Sequence, residues 1–100
     1  MDYELFITSL EKTTPPADLP LALLSLWHDA QGNWDIAHET IQNEPGETCA
    51  WIHAYLHRKE GDLWNARYWY NKCGRTEFKG SLSEEWERIV RSLVEERKAA

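Results

Sequence analysis

Two histidines four residues apart, His53 and His57, carry the clearest chemistry in the chain. On an α-helix, positions i and i+4 share a face, so the two imidazoles stand side by side as in a two-histidine metal clamp. His28 lies 29 residues before His57, at the matching position of a repeat set out below, and is the third candidate ligand. His38 adds a fourth imidazole, and Asp29 or Glu39 an oxygen donor. The metalloprotease pattern is incomplete, because Ala54 and not a glutamate follows His53. A plainer account competes with the metal reading. The histidines stand in for buried Tyr or Leu, packing their rings and giving one N–H to a carbonyl. On that account no cofactor is expected; on the sharper one a bound transition metal is, with acid–base work a further alternative. The chain has no GxSxG, no glycine-rich phosphate loop and no EF-hand pattern. No reaction is named by any motif, so a non-enzymatic role is the expectation.

Helices must hold these groups in place. Tyr3, Phe6, Ile7 and Leu10 recur at helical spacing over residues 2–12. Thr13-Thr14-Pro15-Pro16 breaks that helix. Asp18 is the expected cap of a second helix, with Pro20 in its first turn and Gly32 past its end. A third starts at Asn33 or Asp35 and runs to about Asn43, before the turn Glu44-Pro45-Gly46. The fourth spans Glu47 to Glu60 and is closed by Gly61; the fifth is capped by Asp62 and reaches about Cys73. Ser81 with Glu84 makes a capping box for the last helix, whose Trp86, Ile89, Val90, Leu93 and Val94 form one apolar face with Glu and Arg on the other. The fold class read from this is all-α, about six helices in a single domain over residues 1–100.

Residues 27–37 and 56–66 align without gaps. His28 falls on His57, Gly32 on Gly61, Asn33 on Asp62, Ala37 on Ala66 and Ile41 on Tyr70. Glycine permits a sharp turn, Asn or Asp caps the next helix, and alanine lets two helices approach closely. Glycine, cap, alanine and then a large apolar residue resemble the tetratricopeptide consensus, over about residues 19–73. The resemblance implies a right-handed stack of helical hairpins. Several features depart from it. The offset is 29 rather than about 34, Ser25 stands where Ala54 does in the other repeat, and His replaces the consensus tyrosine in both. The run from Trp51 to Asp62, followed by Asn65 to Tyr70, also resembles a set of small microbial proteins with no assigned activity, and so implies no function.

In the tetratricopeptide family the first helix of each hairpin lines a concave face. Carried over, that face presents Trp51, Tyr55, Arg58 and Lys59 from one repeat and Leu19, Ala22, Leu26, Asp29 and Ala30 from the other. Aromatic groups beside Arg and Lys suit a carboxylate-bearing ligand. The resemblance thus implies an interaction module for a protein or acidic peptide, with Trp51, Tyr55, Arg58, Lys59 and Asp29 as the binding residues. The alternative is a small metal- or ligand-binding protein, or an enzyme, built on His28, His53 and His57. A third possibility is that the same residues cover the terminal helices, or that a homodimer hides the repeat ends, since two repeats alone bury little surface.

Charge narrows the partners. The net charge is −6, with −8 over residues 1–48, +3 over residues 49–79 and −1 over residues 80–100. An acidic chain lacks the basic footprint of a nucleic-acid binder. The basic middle either pairs with the acidic first part or offers a site for a small anion or an acidic peptide. Six Trp, four Tyr and two Phe can serve a small core or a binding surface. Cys49 and Cys73 are not in a CxxC arrangement and no basic-then-apolar leader opens the chain, so reduced thiols and a cytoplasmic location are expected. The longest apolar stretch, near Leu19–Trp27, is too short to span a bilayer, so no membrane partner is expected.

Overall fold

Glycine sets the turns between helices. Gly32, Gly46, Gly61 and Gly74 all have positive φ, from 72° to 106°, a region that costs glycine nothing and strains other residues. The computed structural model describes residues 1–99, and the side chains of residues 1–95. Its helices are α1 (Tyr3–Ser9), α2 (Leu21–Ala30), α3 (Trp34–Ile41), α4 (Glu47–Glu60), α5 (Leu63–Lys72) and α6 (Leu82–Ala99). The described residues contain no strand, and no helix is long and apolar enough to cross a membrane.

Side-chain caps account for three of the six helix starts. The Asp2 carboxylate accepts from Leu5 N–H at 2.9 Å, Asp62 from Asn65 N–H at 3.3 Å, and Ser81 Oγ from Glu84 N–H at 3.0 Å. Asp18 departs from its predicted role. It takes a left-handed conformation, φ 62°, and the residue flanking α2 is Pro20, which offers no side-chain cap. Asn33 likewise flanks α3 without a side-chain bond.

α2 packs on α3, and α4 on α5, each across its glycine turn; α6 lies over α2 and α4, and α1 rests on α6. The equivalent small residues are fully buried where helices approach: Ser25 and Ala54, Ala37 and Ala66. Ser25 Oγ donates to Ala37 O at 2.8 Å, so its hydroxyl is satisfied inside the core. Ile41 and Tyr70, matched in the sequence, are both buried. One apolar cluster joins all six helices, from Phe6 on α1 through Leu26, Ala37, Ile52 and Tyr70 to Ile89 and Val90 on α6. Each such large side chain contributes about 1.5–3 kcal/mol by leaving water.

Candidate metal centre

One ring nitrogen from each of His38, His53 and His57 lies within 4.8 Å of the other two. His53 and His57 come from one face of α4, as their spacing predicts, and both are buried. His38 comes from α3 and is half-buried. Trp34 holds α3 in this position. Its Nε1–H donates to Leu56 O in α4 at 2.8 Å, and its ring stacks on His38 one turn later at 4.9 Å. Trp69 on α5 lies flat against His53 at 3.9 Å and closes the opposite side. His38 and His53 are thus each packed flat against an indole, while His57 meets Trp34 edge-on at 6.1 Å.

His38 Nε2 and His53 Nε2 are 3.0 Å apart, so one ring donates and the other accepts. His57 Nδ1 meets Glu60 Oε1 at 2.7 Å. In the neutral ring Nδ1–H donates to that carboxylate and leaves Nε2 as the unprotonated nitrogen. A carboxylate behind a histidine is the arrangement that orients imidazole ligands toward a cation. His53 is held down to about pKa 4, by burial first and then by the neighbouring His38 and His57. His38 is lowered by burial first and then by His57, with Glu60, Asp35 and Glu39 acting in the opposite direction. Near neutral pH His53 therefore keeps the lone pair that a metal needs, in a neighbourhood of acids that favours a cation.

The sequence reading is corrected at one ligand. His28 is not in the cluster. Its ring sits edge-on to Trp27 at 5.3 Å, and its Nδ1 is buried without a partner. Matching positions in a repeat are equivalent, but equivalent groups need not touch. His38 does, because α3 turns the face bearing Trp34 and His38 toward α4. The signal that could have found it is the Trp34–His38 spacing, which puts both rings on one side of α3.

The five binding residues expected on the concave face, Trp51, Tyr55, Arg58, Lys59 and Asp29, are engaged within the chain. Trp51 and Tyr55 are buried. Glu85 of α6, fully buried, accepts from Trp51 Nε1–H at 3.0 Å, from Tyr70 O–H at 2.6 Å and from Arg58 Nε–H at 3.0 Å. Buried Asp29 accepts from Tyr55 O–H at 2.6 Å and from Lys59 Nζ at 2.8 Å. Burial and the two carboxylates raise the hydroxyl pKa of Tyr55 and Tyr70, which keeps both as donors. Sequence reasoning placed Glu85 on the polar side of α6 and so missed it. Of the five, Lys59 is the most exposed, its side chain 37% accessible, at the edge of an open cleft of about 620 Å³ that Leu82 and Trp86 also line. Cys49 and Cys73 are free thiols, and burial raises the pKa of both.

A second set of groups, His57 with Glu60 and Asp62, lies at the end of α4 and adds negative charge beside the imidazoles. Compared with family models, with curated proteins and with solved structures, the chain matches none.

Proposed function

We propose that this chain is a small metal-binding protein in which His38, His53 and His57 hold a divalent transition cation, on a tetratricopeptide-like pair of helical hairpins. One observation carries the reading: three imidazoles, two buried and one half-buried, converge within 4.8 Å, one of them oriented from behind by Glu60. Metal–nitrogen bonds of about 2.0–2.1 Å put tetrahedral ligand atoms roughly 3.3 Å apart, so the 3.0 Å gap between His38 and His53 needs to open by only a few tenths of an ångström. The cation takes the place of the proton those rings share. Three imidazoles suit zinc, copper or nickel better than calcium or magnesium, and leave a fourth position to water or a ligand.

The protein- or peptide-binding reading drew on Trp51, Tyr55, Arg58, Lys59 and Asp29. Each of them is bound within the chain, to Glu85 or to another of the five, although Arg58 Nη2 has no partner. What remains in its favour is the cleft beside Lys59.

Cobalt(II) titration of untagged protein tests the metal reading through the visible absorption of the bound ion. Wild type takes up about one equivalent and releases protons as it does so. His38→Gln and His57→Gln each lose most of that uptake, His28→Gln loses none, and Glu60→Gln binds about tenfold or more weakly. Uptake below about a tenth of an equivalent by wild type, or equal loss in His28→Gln and His38→Gln, ends the proposal.

A further inference from the structure

On the side of α4 away from the imidazoles, a hollow of about 440 Å³ opens beside Trp51 and Phe78. Three cations line it: Arg75 and Lys79 from the segment joining α5 to α6, and Arg88 from α6. None of the three is ion-paired with an acid among the described residues. One acid, Glu77, also lines the hollow and is paired with Arg67 at 3.8 Å. On a chain of net charge −6, two bases of the middle segment, Arg75 and Lys79, meet Arg88 of the last segment here.

Two of the three cations, Arg75 and Arg88, are held against aromatic rings. The Arg75 guanidinium lies over the Trp51 ring at 3.4 Å, and that of Arg88 over Phe78 at 5.5 Å. Arg58 stands 5.6 Å from the same Phe78 ring, with its Nη2 buried and without a partner. A guanidinium stacked on an aromatic face keeps its edge N–H groups free for an oxyanion and loses little freedom on binding one. A planar carboxylate is satisfied by one such fork. A tetrahedral dianion takes donors from several directions, which is what cations from two chain segments offer.

We infer that the hollow formed by Arg75, Lys79 and Arg88 against Trp51 and Phe78 is a binding site for a small phosphorylated molecule. The phosphate group sits among the three cations. The Phe78 ring and the stems of Arg and Lys receive the organic body, and the volume falls in the range of small-ligand sites.

Phenyl phosphate is the probe, titrated into the full chain in the presence of a chelator, so that the result does not depend on the imidazole cluster. Backbone amide resonances of residues 74–80 are expected to shift and saturate, with benzoate binding about tenfold more weakly, the difference of one strong charge-assisted interaction. Arg75→Gln and Arg88→Gln each weaken phenyl phosphate by about tenfold while their melting temperatures stay near that of wild type. Inorganic phosphate binds at the same amides, more weakly for want of the aromatic body. The inference is overturned if the shifts do not saturate, if benzoate binds as well as phenyl phosphate, or if Arg75→Gln and Arg88→Gln bind as wild type does. An acidic peptide that displaces phenyl phosphate and binds more tightly also overturns it, in favour of a polypeptide partner.

Discussion

His53 shows how placement decides what a single side chain can do. An imidazole in water titrates near 6.5. In this fold, burial and two neighbouring imidazoles hold it down to about 4. Between those values the unfolded chain binds a proton that the folded chain refuses, so stability is whole above about pH 6.5 and falls as the pH drops toward 4. The full loss is up to about 3 kcal/mol by linkage. Urea unfolding at pH 7, 6 and 5, with chelator present, measures it. Wild type loses stability over this window, and His53→Gln loses correspondingly less. Equal slopes in the two proteins mean that His53 is not held neutral by the fold. The pair His53 and His57 was legible in the sequence because a four-residue spacing has one meaning on a helix. The third ring was not. Choosing His38 over His28 requires knowing which side of α3 meets α4, and a repeat alignment carries no such information.

Helix ends were the most legible feature, because their chemistry is local. α4 begins and ends at the predicted Glu47 and Glu60, and Gly61 follows in the left-handed conformation with φ 88°. Its N–H donates to Arg58 O at 3.1 Å, while Asp62 N–H reaches back to His57 O at 2.9 Å. A Cβ at Gly61 meets nothing within 4 Å, so Gly61→Ala carries a backbone cost alone. That cost is about 1–2 kcal/mol, a fall of several degrees in Tm, read by thermal melting monitored by circular dichroism. A variant that melts with wild type shows that α4 ends without needing the left-handed residue. The start of α2 was less legible. Two candidate signals, Asp18 and Pro20, stand close together, and the aspartate bends the chain before the helix instead of capping it.

At the scale of the whole molecule, α6 unites the helix pairs through polar groups as well as through its apolar stripe. Trp86 Nε1–H donates to Leu26 O in α2 at 3.1 Å, and Glu85 gathers donors from α4 and α5. Glu85 was illegible because its donors lie 15 to 34 residues away, and a glutamate in an amphipathic helix reads as solvent-facing. Glu85→Ala strands the Arg58 charge and two buried donors, at a cost of about 3–5 kcal/mol. Chemical denaturation followed by tryptophan fluorescence checks this, and a cost below about 1 kcal/mol means the carboxylate is a passenger. The stacked rings have an optical consequence as well. Trp34 and Trp69 lie flat on imidazoles, whereas Trp64 is 75% exposed. Light emitted by the first two senses whether the adjoining ring is neutral, charged or metallated, and the third provides a water-facing reference within the same polypeptide. The molecule carries its own gauge, and no label need be attached.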